Sequence, residues 1–168
     1  IRNKVVAESG EAIDGARENC RTKECQIGNL VADAMLARVK DQGIQVALAN
    51  GGGLRASIDA GPVTMGEVYT VLPFQNTRST FRISGATLVA ALENGVSQVE
   101  EGAGRFPQVA GMSYTFDAGE PAGGRISNVM VGGAPLNQEF ADAINAHTYG
   151  RDAAMSSELA KAIVGKNR

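Results

Sequence analysis

The stretch LANGGGLRASI, residues 48–58, places three consecutive glycines and an arginine directly after an apolar run. Residues 44–49, IQVALA, predict a buried β-strand that leads into this glycine loop. Each glycine loses more backbone entropy on folding than other residues do, so three together indicate that another group comes close to the loop. Unpaired N–H groups in the loop, with the guanidinium of Arg55, would bind an anion. The alternative interpretation is a tight turn followed by a solvated arginine.

Helical and strand patterns alternate on both sides of this loop, which predicts an α/β (α+β) fold. The capping-box pattern of Thr64 and Glu67 predicts the start of one helix, and Ser84 is the predicted N-cap of another. Helices are predicted over residues 24–42, 65–72, 85–102, 138–147 and 156–165, and strands over residues 4–9, 44–49, 78–84, 109–117 and 125–131. We therefore expect one domain, residues 1–168, in which a mixed sheet is flanked by helices.

The composition is that of an ordinary globular protein. Of the 168 residues, 43% are hydrophobic and 20% are charged, and the formal net charge is −2. The absence of any block of like charges argues against a nucleic-acid polymer or an anionic membrane as partner, but permits a local anion pocket. No apolar run approaches the roughly 20 residues of a membrane span, and the first ten residues do not resemble a signal peptide. We expect a soluble domain whose targeting sequence lies outside this chain.

The only two cysteines, Cys20 and Cys25, lie in the short stretch NCRTKEC. They could form a redox pair, contribute to a zinc site or close a small disulfide loop. A zinc site needs about four ligands, and the sequence has no second cluster of Cys or His; redox pairs more typically read C-x-x-C. We favour the disulfide over free thiols, which implies an oxidising compartment. The loop would then position Arg21 for binding. The alternative interpretation is that Arg21 is an ordinary surface arginine.

Phe74, in VLPFQNT, follows a proline in a segment rich in polar residues. A phenylalanine in that setting could be a platform for a planar ring, although packing against the core is the alternative. With Asn50 and two arginines, it would make a site for an anionic, planar ligand. The sequence has no metal-binding motif, no nucleophile elbow and no defensible pair of catalytic carboxylates. His147, the only histidine, is interpreted as the end of a helix, so we predict no catalytic residue and no metal site.

Five motifs occur in this order: CRTKECQIGNLVADAML, ANGGGLRASI, GEVYTVLPFQN, SGATLVAALENGV and GRFPQVAGMSYTFD. Together they closely resemble the C-terminal domain of the 5'-nucleotidase family, which are secreted and periplasmic metallophosphoesterases. The resemblance covers roughly residues 3–136. It implies a substrate-binding domain whose partner is an N-terminal domain that holds two divalent metal ions, usually zinc. In that family the metals activate the water that attacks the phosphate.

The resemblance also implies a set of site residues. Both arginines of the site would contact the substrate phosphate, the asparagine would reach the substrate near the phosphate and ribose, and the phenylalanine would stack on one face of the base. The glycines would let the nucleotide approach the backbone, and Cys20 and Cys25 would form the family disulfide. The implied substrate-binding residues are Arg21, Asn50, Gly52, Gly53, Arg55 and Phe74.

Two departures from the family pattern change what we expect of this chain. The metal-binding motifs D-x-H and G-N-H-[DE] are absent, so we expect the isolated chain to have no cofactor of its own and not to hydrolyse phosphate esters. The family usually continues with F-x-x-x-G-G-D-G-[FY], which supplies a second aromatic ring and an Asp for the ribose. Here Tyr149 and Asp152 lie near that place without the glycine pair, so no role is transferred to them. Residues 137–168 are interpreted as a divergent or incomplete tail.

The preferred hypothesis is therefore the nucleotide-recognition domain of a periplasmic or extracellular 5'-nucleotidase. One alternative is a non-catalytic module that binds nucleotides or anions, or that interacts with another surface. Another is the substrate domain of a related hydrolase that acts on cyclic nucleotides, UDP-sugars, NAD or sulfur compounds. A purely structural domain is the last alternative, because it leaves the five ordered motifs unexplained.

Overall fold

The computed structural model describes residues 1–132 and the backbone of residues 148–150. The α-helices are α1 Arg17–Cys20, α2 Gln26–Arg38, α3 Met65–Val71 and α4 Gly85–Val96, and 3₁₀-helices span Lys40–Gln42 and Gly51–Gly53. The strands are β1 Val5–Ser9, β2 Ala47–Asn50, β3 Gly61–Thr64, β4 Pro107–Ala110, β5 Met112–Phe116, β6 Ile126–Gly132 and β7 Thr148–Gly150. The predicted helices at 138–147 and 156–165, together with His147 and Asp152, lie outside the described residues.

The described strands form three small sheets. Strands β1 and β3 pair antiparallel, β2 and β4 pair antiparallel, and the third sheet has the order β5-β6-β7. Strand β5 is antiparallel to β6, and β7 is parallel to β6, so this third sheet is mixed. Helices alternate with these strands along the chain, and the predicted α/β class is confirmed. The described strands form three sheets, however, where a single mixed sheet was expected.

The single strand predicted over residues 109–117 is wrong, because Gly111 divides it into β4 and β5. Gly111 has a φ of +80°, and a Cβ built there would lie 2.1 Å from the carbonyl oxygen of Gln45. The backbone conformation and the close approach both require glycine. The chain turns at this residue from the β2–β4 sheet into the β5–β6–β7 sheet.

The strand predicted over residues 78–84 is also wrong. These residues are exposed and belong to no helix or strand, and the Phe81 side chain is 71% exposed. Residues 77–83 make no backbone hydrogen bond to any other described residue. An alternating sequence pattern expresses a preference for a half-buried pleated surface, and it forms a ladder only where a neighbouring strand is available.

Both predicted N-terminal caps are confirmed. The Thr64 hydroxyl accepts a hydrogen bond from the Glu67 N–H at 3.3 Å, and the Glu67 carboxylate accepts one from the Thr64 N–H at 2.7 Å. These hydrogen bonds from Thr64 hold the pKa of Glu67 below its ordinary value. The Ser84 hydroxyl accepts the Thr87 N–H at 3.2 Å. Two predicted helices are shorter than expected: α2 ends at Arg38 and continues as a 3₁₀ turn, and α4 ends at Val96.

The predicted disulfide between Cys20 and Cys25 is confirmed, and it lies inside a hydrophobic cluster. Both cysteines are buried. The Cys25 sulfur accepts a hydrogen bond from the Gly28 N–H at 3.3 Å, so this residue also caps the N-terminus of α2. The other buried members of the cluster are Ile27, Leu54, Ile58, Val63 and Val71. The core therefore joins the disulfide loop to the residues that follow the glycine loop.

A buried arginine closes the C-terminal end of α4. The Arg125 guanidinium forms a bidentate ion pair with Glu100 and donates a hydrogen bond of 2.7 Å to the Val96 carbonyl. The Glu93 carboxylate accepts the backbone N–H groups of Arg125 and Ile126 at 3.1 and 2.7 Å. These contacts fasten α4 to the start of β6.

The ion pair predicts a pH dependence of stability. The hydrogen bonds from Arg125 hold the pKa of Glu100 below its ordinary value of 4.5. The carboxylate therefore contributes stability fully above pH 4.5 and loses that contribution as the pH falls through the lower folded-state pKa. We expect the difference in unfolding free energy between the wild type and Glu100→Gln to shrink over this acid range. Denaturant unfolding at a series of pH values measures it.

The matched control is Glu101→Gln, which changes an exposed neighbour that makes no hydrogen bond or ion pair within residues 1–132. The difference in unfolding free energy between Glu101→Gln and the wild type should stay constant over the same pH range. Parallel stability curves for Glu100→Gln and the wild type would contradict the assignment.

Candidate functional site

Four segments meet at the carboxyl end of β2. They are the disulfide loop of residues 20–25, the 3₁₀-helix Gly51–Gly53, the segment of residues 72–79 after α3, and the turn of residues 102–104. The sequence-predicted site residues all lie on or beside the first three of these segments. The turn at residues 102–104 supplies carbonyl groups that accept hydrogen bonds from three of these residues, Arg21, Asn50 and Gly52.

The glycine loop is packed against the backbone of the protein itself. The Gly51 N–H donates to the Phe106 carbonyl and the Gly52 N–H donates to the Gly104 carbonyl, each at 2.8 Å. A Cβ on Gly51 would lie 1.9 Å from the Cys20 carbonyl oxygen, and a Cβ on Gly52 would lie 2.6 Å from the Gly104 Cα. At these two glycines the group that comes close is the protein's own backbone, and the expectation of unpaired N–H groups is wrong there.

Asn50 and Gly53 lie at the edge of a cleft. The Asn50 side-chain amide donates to the Gly104 carbonyl at 3.2 Å, which holds the end of β2 against the turn of residues 102–104. A Cβ on Gly53 would lie 3.4 Å from the Asn50 amide oxygen. Asn50 is exposed and keeps its amide oxygen as an acceptor on this side of the loop.

Arg21 is half-buried inside the disulfide loop. One terminal nitrogen donates to the Gly102 carbonyl at 3.3 Å, while the Nε atom is buried with no hydrogen-bond partner. Burial lowers the pKa of Arg21, and the positive charges of Arg17 and Arg55 lower it further. Arg21 therefore has unused donors in a place where its charge is incompletely solvated.

Arg55 connects the glycine loop to Phe74. Its backbone N–H donates to the Val71 carbonyl at 3.0 Å, and its guanidinium donates to the Gly52 carbonyl at 3.3 Å. The guanidinium carbon lies 5.7 Å from the centroid of the Phe74 ring, which is the range of a cation–π contact. Phe74 is 56% exposed, so one ring contacts a cation and remains accessible to a ligand.

The positive charges of Arg17 and Arg55 both act on Arg21, and we call these three cations the arginine cluster. Within the part of the chain that the structure describes, the one ion pair joins Arg125 to Glu100, so no described carboxylate forms an ion pair with this cluster. Unpaired like charges held together favour the binding of an anion. The sequence analysis did not identify Arg17. The available signal was its spacing: Arg17 begins the short helix α1, and Arg21 follows four residues later as the C-cap of that helix.

An open cleft of about 1020 Å³ lies beside the arginine cluster. It is of the size that takes a small-molecule ligand. Asn50, Gly53 and Phe74 line this cleft. Arg21 and Arg55 do not line it, but the Arg55 guanidinium contacts the Phe74 ring, which does. Aliphatic residues and Met35 form the apolar part of the lining: Val31, Ala34, Met35, Leu48, Ala49, Leu54 and Leu72. The structure thus brings the arginine cluster next to a cleft with a partly apolar lining.

A second residue that sequence reasoning missed is Gln108, whose side chain is 1% exposed. Its amide nitrogen donates to the carbonyls of Cys20 at 3.0 Å and Lys23 at 2.8 Å, and its amide oxygen accepts the Cys25 N–H at 3.2 Å. The signal in the sequence was a glutamine inside the apolar run FPQVA, residues 106–110. Buried polar side chains of this kind are almost always hydrogen-bonded.

The described residues lack two features that would bear on function. No three His, Cys, Asp or Glu side chains come together there in a group that could hold a metal ion. None of the helices in that part of the chain has the length and apolar character needed to cross a membrane.

Comparison with known proteins places this geometry in a family. A family model described as 5'-nucleotidase, C-terminal domain, matches residues 5–155. The trifunctional nucleotide phosphoesterase protein YfkN of Bacillus subtilis (strain 168) is 46% identical over 132 residues, which are 78% of this chain and 9% of that protein. The human 5'-nucleotidase is 34% identical over 144 residues, 78% of this chain and 25% of that protein.

The fold agrees with a solved structure of the same kind. The crystal structure of a 5'-nucleotidase precursor from Thermus thermophilus superposes with a TM-score of 0.75 and 50% identity, over 76% of this chain and 25% of that one. The chain thus spans a quarter or less of the length of these relatives. It matches the family model over most of its length, and it belongs to the family of 5'-nucleotidase C-terminal domains.

Proposed function

We propose that this chain is the nucleotide-recognition domain of a 5'-nucleotidase-like phosphoester hydrolase. The observation that carries the proposal is the position of Arg55. Its guanidinium belongs to an arginine cluster that forms no ion pair with a described carboxylate, and it also lies 5.7 Å from the centre of the half-exposed Phe74 ring. A nucleoside monophosphate has the matching chemistry, because it joins a dianionic phosphate to a planar base.

Each side chain then has a distinct task. Arg21 and Arg55 bind the phosphate through charge-assisted hydrogen bonds, and Asn50 offers its exposed amide near the phosphate and ribose. Phe74 stacks on one face of the base. Gly53 leaves the cleft wall beside Asn50 free of a side chain. Gly52 contributes through its carbonyl, which holds the Arg55 guanidinium.

The proposal assigns recognition to this chain and bond cleavage to another domain. The described residues provide no cluster of metal ligands, while the relatives are at least four times as long as the matched segment. We propose that the activated water is supplied by a metallophosphoesterase domain that holds two divalent metal ions, preferably zinc. The isolated chain should bind nucleotide and show no phosphatase activity.

A periplasmic or extracellular location goes with this function. The support is the buried Cys20–Cys25 disulfide of the loop that carries Arg21, since disulfides persist in oxidising compartments. A nucleotide-degrading enzyme in such a compartment would act on extracellular nucleotides.

Calorimetric titration of the 168-residue chain with AMP, adenosine and inorganic phosphate, without added metal, tests the proposal. AMP should bind more tightly than either fragment, because it uses the arginine cluster and the Phe74 ring together. Failure of AMP to bind at millimolar concentration would overturn the proposal. Equal affinity for AMP and phosphate would show that the site recognises the phosphate and not the base.

The Phe74→Ala variant separates stacking from phosphate binding. We expect it to weaken AMP binding by about 1–3 kcal/mol, the typical contribution of one base–aromatic stack, and to leave the affinity for inorganic phosphate unchanged. Phe81→Ala is the matched control, because Phe81 is more exposed than Phe74 and lies outside the cleft lining. Equal losses for AMP and phosphate in Phe74→Ala would show that the ring supports Arg55 instead of stacking on the base.

A further inference from the structure

We infer that Gln108 is a positioning residue for Arg21: its buried amide holds the disulfide loop so that the Arg21 guanidinium stays in the arginine cluster. The inference rests on the proposed function, because it assigns Gln108 a task in phosphate recognition. Gln108 itself lies beneath the loop and has no part in the cleft lining.

The three hydrogen bonds of Gln108 use both amide N–H groups and the amide oxygen. Both N–H bonds are directed to the carbonyls of Cys20 and Lys23, and the oxygen accepts the Cys25 N–H. A flipped amide would place donors against the Cys25 N–H and an acceptor against two carbonyls, so only one orientation satisfies the site. The two carbonyls lie on either side of Arg21 in the chain, and the amide therefore immobilises the backbone that carries this arginine.

Arg21 depends on that backbone because its side chain has little else to hold it. Among the described residues it makes one hydrogen bond, of 3.3 Å, to the Gly102 carbonyl, and its buried Nε has no partner. The repulsion from Arg17 and Arg55 acts to move the guanidinium away from the cluster. The disulfide closes the loop covalently, but it constrains only the two ends of the segment.

Helix α2, beside the disulfide loop, packs closely against the same amide. A Cβ on Gly28 in α2 would lie 2.3–2.7 Å from the Gln108 side chain, so the absence of a side chain at that position makes room for the glutamine. In β4, Gln108 pairs with Ala49 of β2, which precedes Asn50 and the glycine loop. One residue thus links the β2–β4 sheet, α2 and the disulfide loop at the anion site.

The test is a double-mutant cycle of Gln108→Met with Arg21→Ala, measured by calorimetry with AMP on the 168-residue chain. Met keeps a similar length and removes all three hydrogen bonds. We expect Gln108→Met to weaken AMP binding about tenfold, as the net loss of a charge-assisted contact implies, and to have no further effect in the Arg21→Ala background. Adenosine affinity should not change in either single variant.

Leu92→Ala is the control for a general loss of stability, because Leu92 is fully buried in the separate cluster under α4. It should lower the unfolding midpoint without changing AMP affinity. Where Gln108→Met does not fold, Gln108→Asn replaces it, since the shorter amide cannot reach all three partners and removes less volume from the site than an alanine would.

The outcomes separate this inference from the proposed function. A wild type that fails to bind AMP overturns the proposed function. A wild type that binds, with Arg21→Ala weakened and the Gln108 variant unchanged, overturns the role of Gln108 alone. An equal loss from the Gln108 variant in both backgrounds also overturns it, because the effect would then not pass through Arg21.

Discussion

Arg21→Ala is expected to lower the affinity of the chain for AMP by roughly 10- to 150-fold, equivalent to the 1.5–3 kcal/mol typical of a hydrogen bond to a charged group. The physical reason is that Arg21 is half-buried, its Nε is unpaired and its charge is destabilised by Arg17 and Arg55. A bound phosphate would accept a hydrogen bond from the Nε and offset the positive charges, and so would stabilise the guanidinium where it is. Calorimetric titration with AMP and with inorganic phosphate measures the effect.

Both ligands should lose the same free energy, because the contact is made to the phosphate they share. Arg38→Ala is the matched control: Arg38 is an exposed arginine in the last turn of α2, away from the cluster. Arg21→Lys should give an intermediate loss, since it keeps the charge and removes the planar pair of donors. Unchanged affinity in Arg21→Ala would remove this residue from the site.

Gly51→Ala is expected to destabilise the fold by at least the roughly 1–3 kcal/mol typical of overpacking. The added Cβ would lie 1.9 Å from the Cys20 carbonyl oxygen, and neither partner is a flexible side chain. The substitution would force the glycine loop away from the disulfide loop and separate Asn50 from Arg21. Urea unfolding under oxidising conditions measures the change in unfolding free energy.

Gly53→Ala is the control within the same loop. Its Cβ would lie 3.4 Å from the nearest atom, and none of the loop glycines has a positive φ. Reduced freedom of the unfolded chain would offset any crowding, so we expect a stability change within about 1 kcal/mol. Equal destabilisation by both substitutions would contradict the packing argument.

Several elements of this fold are specified by local sequence. The capping box of Thr64 and Glu67 and the Ser84 cap are satisfied within a single helical turn, so a few neighbouring residues are sufficient to predict them. The short disulfide loop is local in the same sense, because Cys20 and Cys25 are five positions apart. These predictions were correct because no distant partner decides them.

The incorrect strand predictions involve distant partners. Residues 78–84 have the alternation of a strand but no pairing strand among the described residues. The run at residues 109–117 is broken because Gly111 meets the carbonyl of Gln45, which lies far earlier in the chain. Pairing and close approach between remote segments leave no trace in a local pattern.

The sequence by itself determined the chemistry of the candidate site: two arginines, an asparagine and a phenylalanine suited to a phosphate and a planar ring. The tertiary structure decided how they are held. It added Arg17 to the cluster, placed Gln108 beneath Arg21, and showed that Gly51 and Gly52 are required by contact with Cys20 and Gly104. The residue types in a sequence show which interactions are chemically possible. Which remote residues come close enough to interact is decided only when the chain folds.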